Sequence, residues 1–192
     1  MYPETTIRQH AERSVPEEVS DILGAGTVAH VGFGIGGEPY IIPMSYHFDP
    51  ADPGRLFLHG APSSRLLGHL VGGGAVCVAV TLVEGLVYSK TAKYHSMNYR
   101  SAVVYGRAFA VTDRDEKARV FAGMIARYFP GRASGRDYAE APAAHLDATA
   151  TVEVRIEAAS AKARRGGPKG PHDARPEAPG TAGILPFPTT SP

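Results

Sequence analysis

Glycine and proline divide this chain into short β-forming segments. Their spacing limits the possible folds more than any other feature of the sequence. The 22 glycines and 16 prolines make up about a fifth of the 192 residues, against an average of about 12%. The segments between them are rich in β-branched and aromatic residues, which is typical of strands joined by tight turns. Helices do not alternate regularly with these segments, so the pattern argues against a doubly wound sheet.

The apolar pattern predicts the strands. Residues 75–83, AVCVAVTLV, are apolar throughout, which is typical of a strand buried on both faces. Glu84 and Gly85 predict a tight turn after it, Gly106 predicts a bulge or a barrel bend, and Pro43 predicts an edge or a bulge. The expected strands are 27–33, 38–48, 55–60, 75–83, 86–92, 99–112 and 151–157.

Four helices are expected from capping residues and 3.6-residue periodicity. A capping box at Ser14–Glu17 predicts a short helix to about Leu23. Ser63 or Ser64 caps the next helix, and Thr112 or Asp113 caps the most strongly periodic one, 114–129; a fourth is expected over 137–146. The elements together predict a closed or partly open antiparallel β-barrel with α additions. The expected divisions are an N-terminal arm (1–13), the barrel domain (14–165) and a Pro/Gly-rich tail (166–192).

Composition excludes several classes of protein. The 20 basic and 19 acidic side chains nearly cancel, which argues against nucleic acid as a partner. No run reaches the roughly 18 apolar residues of a membrane helix, and no secretory signal is visible, so we expect a cytoplasmic protein without a membrane partner. The one cysteine, Cys77, excludes an internal disulfide framework and is interpreted as a small buried apolar residue.

The sequence supports neither a dinucleotide-binding fingerprint nor a histidine metal site. Residues 32–37 match GxGxxG, but the dinucleotide fingerprint needs a helix after it. Pro39 and Pro43 make the following segment extended, so we interpret the glycines as a hairpin turn. The eight histidines show neither an HExxH pair nor another tight metal spacing, so no metal site is expected.

Three polar segments carry candidate chemistry. HGAPSSR (59–65) starts a helix with two hydroxyls and a guanidinium, which suits a phosphate; ordinary helix capping is the alternative. KYHSMNYRS (93–101) either lines a site or forms a solvated loop. A basic cluster is either a solvated tail or a phosphate or substrate contact. Its members are Lys162, Arg164, Arg165, Lys169 and Arg175.

In combination, HGAPSSR (59–65), VTLVEGLV (80–87) and HSMNYRSAVVYGRA (95–108) resemble the pyridoxamine 5′-phosphate oxidase-like, flavin-binding split barrels. The resemblance extends over residues 12–187 and is greatest to the branch that includes the nitroimidazole-resistance reductases. It implies a six-stranded antiparallel split barrel and a homodimer. It also implies FMN in two clefts between the subunits.

The resemblance assigns roles to individual residues. Residues 43–46 would run along the isoalloxazine ring, with their backbone groups hydrogen-bonding its pyrimidine edge. His59 and residues 63–65 would hold the phosphate, and Thr81 and Leu82 would flank the ring. Polar residues of segment 96–101 would complete the cleft. The implied cofactor-binding residues are Pro43, Met44, Ser45, Tyr46, His59, Ser63, Ser64, Arg65, Thr81, Leu82, Ser96, Asn98, Ser101 and Lys162.

The implied activity is that of an FMN-dependent oxidoreductase, which passes hydride or electrons through flavin N5 to or from a small organic substrate. Arg100 is the candidate for stabilising reduced flavin, and His95 or Tyr99 is the candidate proton donor. The chain lacks a counterpart of the basic substrate-phosphate motif of the true oxidase, so pyridoxamine phosphate is not the expected substrate.

Three alternatives stay open at the level of sequence. The deazaflavin F420 could replace FMN on the same fold, with the basic cluster as its groove. A non-catalytic carrier could bind flavin or haem, and His59 or His95 would then be the haem ligand. A structural dimer without a cofactor would leave the polar segment 93–101 unexplained.

Overall fold

The computed structural model describes residues 5–188 and contains one antiparallel sheet of eight strands. Seven strands follow one another in the order β2-β1-β5-β6-β7-β4-β3. The eighth pairs with the second half of β5, whose first half pairs with β1. The strands are β1 (Ala29–Ile35), β2 (Glu38–Met44), β3 (His47–Phe48), β4 (Arg55–Gly60), β5 (Ala75–Tyr88), β6 (Ser96–Ala110), β7 (Ala150–Arg164) and β8 (Gly183–Pro186).

Helices cover parts of both faces of the sheet. The short helices α1 and α2 fill one face, where Ile22, Leu23, Leu66 and Leu70 are fully buried among strand residues such as Val78. Helix α3 packs against β3 and β4 on the other face, through a small apolar cluster that includes Phe57 of β4. The helices are α1 (Val19–Ala25), α2 (Arg65–Leu70), α3 (Arg114–Tyr128) and α4 (Ala143–Ala148).

Several local predictions are confirmed. Ser64 caps α2 by accepting a hydrogen bond from Leu67 N–H at 3.1 Å, and Asp113 caps α3 in the same way. The glycine-rich segment forms the β1–β2 hairpin turn, in which Gly36 and Gly37 both adopt positive φ angles. Such angles are required by the tight two-residue turn that suits the twist of a hairpin.

The barrel prediction is corrected in strand number. The family resemblance implied six strands, whereas the sheet has eight. Of the two expected forms, closed or partly open, the sheet is not closed, because β2 and β3 do not pair with each other in residues 5–188. The expected strand 38–48 splits, since β2 pairs with β1 and β3 pairs with β4. The expected terminal strand 151–157 extends to Arg164, because the whole of β7 pairs with β6 or β4 despite its alanine-rich second half.

The predicted turn at Glu84 and Gly85 is also corrected. β5 runs through it as one strand, and the register shifts there in the form of a β-bulge. A Cβ at Gly85 would lie 2.7 Å from the backbone oxygen of Leu185, so glycine allows β8 to approach. The bulge predicted at Gly106 is confirmed by a register shift against β7.

Two helix boundaries differ from prediction. Ser14 caps no helix; it forms a β-bridge with Lys162, and α1 begins only at Val19 after a 3₁₀ turn. The helix expected over 137–146 begins at Ala143, because Pro142 disfavours helical geometry at the residue before it.

Tyr46 and Arg127 join three parts of the fold. Tyr46 is fully buried between β2 and β3, and its hydroxyl donates to the Leu23 carbonyl of α1 at 2.6 Å. Arg127 of α3 donates to the same carbonyl at 2.7 Å and to that of Tyr46 at 2.9 Å. Its guanidinium lies 4.2 Å from the centre of the Tyr46 ring. Burial raises the pKa of Tyr46 to about 12, although the charge of Arg127 opposes the shift.

One carboxylate fastens the C-terminal segment (166–186) to the end of β5. Asp173 accepts hydrogen bonds from the Ser89 hydroxyl and Lys90 N–H, each at 2.8 Å, and from Gly170 N–H at 2.5 Å. The Lys90 ammonium also donates to two carbonyls of the segment. Burial acts to raise the pKa of Asp173, but these hydrogen bonds outweigh it and hold the pKa below its ordinary value of 3.8.

Replacing Tyr46 by phenylalanine is expected to lower the free energy of unfolding by about 1–2 kcal/mol, because a buried hydrogen bond to Leu23 is lost. The folded-state pKa is raised, so this contribution is present below the ordinary pKa of tyrosine, about 10, and is lost as pH rises towards 12. Urea unfolding at pH 7 and at higher pH measures both effects. The exposed Tyr94→Phe is the matched control, and equal stabilities of the two variants would contradict the role of Tyr46.

Asp173→Ala is expected to increase hydrogen exchange in residues 166–186, because the segment loses two hydrogen bonds from Ser89 and Lys90 and one internal bond from Gly170. Exchange in β6 and β7 should not change. The lowered pKa means that the fastening is present above the ordinary pKa and is lost as pH falls through the folded-state value, below about pH 4. Glu177→Ala in the same segment is the control, and protection equal to that control would disprove the role of Asp173.

Candidate functional site

One face of the central strands is packed and the other is open. Val76, Val78 and Val80 of β5 point into the core, whereas the residues between them do not. Directly opposed residues of antiparallel strands share a face, so the register defines rows on the open side, here called the outer face. Two rows cross five strands: Ile41–Gly32–Cys77–Tyr105–Ala158 and Pro43–His30–Ala79–Val103–Ser160.

The centre of the outer face consists mostly of small and apolar residues, with the polar side chains of His30, Tyr105 and Ser160 among them. Gly32, Ala79 and Ala158 carry little or no side chain, and Ile41 at the β2 edge is 70% exposed. Exposed apolar patches of this kind mark surfaces that contact a ligand or another protein. The outer face can therefore accept a planar ring or a second protein surface.

Three predicted site residues meet in the next row. Thr81, Ser101 and Lys162 are directly opposed across β5, β6 and β7. Thr81 is exposed, and the Lys162 ammonium donates to the Gln9 carbonyl at 2.8 Å. The structure thus places two hydroxyls and one cation beside the centre of the outer face.

The neighbouring residues Leu82 and Arg100 point to the other face. Leu82 packs against the core, and the Arg100 guanidinium lies 2.6 Å from a carboxylate oxygen of Glu84. The charge of Arg100, the candidate for stabilising a reduced cofactor, is therefore compensated within the chain.

The outer face corrects the interpretation of β5. The expectation was burial on both faces with Cys77 in the core, but Cys77 is half-buried on the outer face opposite Tyr105. Burial raises the pKa of the Cys77 thiol, while a hydrogen bond with Tyr105 acts in the opposite direction. A single chain leaves this apolar strand covered on one side only.

The start of α2 forms a separate group. The Ser64 hydroxyl is used as the helix cap, whereas Ser63 and Arg65 are exposed. The Arg65 guanidinium lies 4.7 Å from the centre of the Tyr40 ring, a cation–π contact. Tyr40 packs against the core, so this group is not part of the outer face.

The predicted ring-binding residues 43–46 separate in the structure. Pro43 belongs to the outer face, Met44 packs against the core and Ser45 is exposed. The Tyr46 side chain is fully buried, its backbone N–H donates to the Tyr128 hydroxyl, and its carbonyl accepts a hydrogen bond from Arg127.

His59 lies under α3. Its ring centre is 4.9 Å from that of Phe121, and its Nδ1 is buried without a hydrogen-bond partner in residues 5–188. Burial lowers the pKa of His59, which favours the neutral imidazole. His59 is thus on the face of β4 opposite its core residues Leu56 and Leu58.

The polar segment before β6 is largely exposed. His95 and Ser96 lie at the surface, and His95 Nδ1 is 3.2 Å from the Ala92 carbonyl oxygen. Asn98 accepts a hydrogen bond from Arg164 through its side chain. Tyr99 is half-buried on the outer face, directly opposite Arg164 of β7.

Sequence reasoning missed Arg13. It lines a cleft of about 230 Å³ with Arg164, Arg165 and Lys169 of the basic cluster. Arg13 reaches this cleft because Ser14 forms a β-bridge with Lys162, and no local sequence pattern predicts that bridge. Within residues 5–188, no three His, Cys, Asp or Glu side chains are placed to hold a metal ion, and no helix is long and apolar enough to cross a membrane.

Several solved structures are similar to this chain. The flavocytochrome Anf3 from Azotobacter vinelandii is 29% identical, with a TM-score of 0.81 over 95% of this chain and 83% of its own. The FAD and haem binding protein from Mycobacterium smegmatis is 25% identical, with a TM-score of 0.80 over 91% of this chain and 84% of its own.

A third structure shares the fold at lower identity. It is described as a 5-nitroimidazole antibiotic resistance protein from Bacteroides thetaiotaomicron and is 20% identical, with a TM-score of 0.61 over 78% of this chain and 86% of its own. Comparison with curated proteins finds no match. The model of the family described as pyridoxamine 5′-phosphate oxidase matches residues 16–163. The chain therefore belongs to this family, as its combined motifs indicated.

Proposed function

We propose that this protein binds a flavin nucleotide on the outer face and acts as a flavin-dependent oxidoreductase on a small organic substrate. The observation that carries the proposal is the outer face itself. Its centre of mostly small and apolar residues borders the polar row Thr81–Ser101–Lys162, which combines a surface for a planar ring with donors for the polar edge of that ring.

The residues present fit such a ring. Gly32 and Ala79 leave space above the sheet, and the exposed Ile41 supplies apolar contact at one edge. A bound flavin supplies hydride or electron transfer through N5. The Lys162 ammonium is the candidate for stabilising negative charge on the reduced ring, because Arg100 is already paired with Glu84. His95 and Tyr99 remain the candidates for proton donation to a substrate.

A second copy of the chain is part of the proposal. The sequence of β5 is apolar on both faces, and such a strand is normally covered on both. The start of α2 and the outer face lie apart in one chain, and a dimer would allow Ser63 and Arg65 of one copy to reach a cofactor on the other. The family resemblance supports this arrangement.

The similar structures support a flavin as the cofactor. Two chains of at least 25% identity cover more than nine-tenths of this protein; one is a flavocytochrome and the other is described as binding FAD and haem. The sequence motifs imply FMN, whereas the second comparison favours FAD. Deazaflavin F420 is the alternative on the same fold, and titration with all three compounds separates them.

Ala79→Arg is expected to abolish flavin retention and dimer formation, because a long charged side chain then occupies the centre of the outer face. The absorption spectrum after addition of FMN, FAD or F420 and desalting measures retention, and analytical ultracentrifugation measures the oligomeric state. Ala126→Arg on the exposed side of α3 is the matched control and should behave as wild type. A wild-type protein that retains none of the three compounds would disprove the proposal, as would an Ala79→Arg protein that retains flavin.

Arg65→Ala is expected to weaken flavin binding about tenfold, through loss of a charged hydrogen-bond donor to the phosphate. Fluorescence titration with FMN and FAD measures the affinity. Arg119→Ala is the control, since Arg119 is exposed on α3 and pairs with Glu116. Equal affinities of the two variants would show that Arg65 does not bind the phosphate.

Haem is the second candidate, and the geometry of His95 favours it. Its Nδ1 faces the Ala92 carbonyl oxygen, which can only accept a hydrogen bond. Nδ1 therefore carries the proton of the neutral ring, and the free electron pair is on Nε2. Metal-ligating histidines commonly use this arrangement. Close by, the exposed side chains of Met97, Leu86 and Leu185 form one row across β6, β5 and β8, an apolar surface on which a porphyrin can rest.

Haem added to the purified protein is expected to give a shifted Soret band that His95→Ala removes, because the ligating nitrogen is lost. His59→Ala should retain the band, since the His59 ring is enclosed by α3. The exposed His145→Ala is the surface control. A band that survives in His95→Ala would exclude His95, and its loss in His59→Ala would assign the iron to the other predicted ligand.

A further inference from the structure

A cluster of cations lies between the N-terminal arm and the end of β7. Seven residues line a cleft of about 230 Å³: Glu12, Arg13, Val15, Ala163, Arg164, Arg165 and Lys169. Four of them are cationic and one is acidic. Arg165 is paired with Glu18 outside the cleft, and Arg13 has only a loose contact with Glu12 at 3.7 Å.

Arg164 is the central feature of this cleft. It is only 6% exposed, and its guanidinium donates to three neutral oxygens: the Asn98 side chain and the carbonyls of Gly166 and Gly167. No carboxylate in residues 5–188 pairs with it. Burial lowers the pKa of Arg164, and the charge of Arg13 adds to the effect. A buried guanidinium nevertheless stays charged, so the cleft holds an uncompensated positive charge.

We propose that Arg13, Arg164 and Lys169 form a binding site for a phosphate or diphosphate group. An anion in the cleft would neutralise the buried guanidinium, and arginine forks suit the oxygens of phosphate. The cleft of about 230 Å³ has room for a group of this size. Lys169 is exposed and makes no ion pair in the described part of the chain, so it is free to close over the ligand.

The site goes beyond the proposed flavin function, because it can be tested without flavin. Two sources of a diphosphate are compatible with its position. Arg164 is directly opposite Tyr99 of the outer face, so the group can belong to an FAD bound there. It can equally belong to a separate phosphorylated substrate or electron donor.

Isothermal titration of the full chain with inorganic pyrophosphate tests the proposal. Binding is expected for wild type and should weaken as salt increases. Arg13→Gln and Lys169→Gln should each reduce the affinity about tenfold, which corresponds to one charged hydrogen bond. Arg119→Gln on α3 is the control and should bind as wild type. Arg164 is left intact, because its hydrogen bonds support the chain after β7.

Absence of pyrophosphate binding by wild type would overturn the site, and so would variants that bind like the control. The FMN and FAD affinities of Arg13→Gln then identify the source. A loss for FAD alone assigns the diphosphate to FAD, and a loss for both flavins assigns the phosphate that they share. Unchanged flavin affinities assign a separate phosphorylated molecule. A wild-type protein that binds pyrophosphate but no flavin would retain this site and disprove only the proposed oxidoreductase.

Discussion

The pairing register of β5, β6 and β7 is the constraint on which the rest of the structure depends. A shift of one residue would turn Val78 and Val80 out of the core and bring Thr81 and Ser101 into it. Burial of the valines therefore also fixes the polar row on the outer face. The bulge before Gly85 in β5 and the bulge in β7 opposite Gly106 let these long strands bend without losing that assignment.

The second face of the sheet is covered along only part of the sheet. Around β3 and β4 the second face is covered by α3, which Arg127 and Tyr128 attach to the connection at Tyr46. Around β1, β5 and β6 no element of residues 5–188 covers that face. The open part is where small side chains, hydroxyls and Lys162 meet, and chemistry on this fold is proposed there for that reason.

Local patterns predicted the features that depend on neighbours in sequence. The hairpin at Gly36 and Gly37, the caps Ser64 and Asp113 and the helix α3 all follow from a few adjacent residues. The full length of β7 did not follow, because its second half is alanine-rich and is held by pairing with β6. The helix α4 begins only after Pro142, because proline disfavours helical geometry at the residue before it.

For the candidate site, the motifs selected Thr81, Ser101 and Lys162, and the register brings these three together. The motifs did not predict that Tyr46 is buried in the core or that Arg100 is paired with Glu84. The sequence by itself determined that the chain forms a turn-rich antiparallel sheet, because glycine, proline and alternation act over a few residues. Its combined motifs also indicated the family. Only the tertiary structure decided which face stays open and which charges are compensated, because both depend on contacts between residues far apart in the chain.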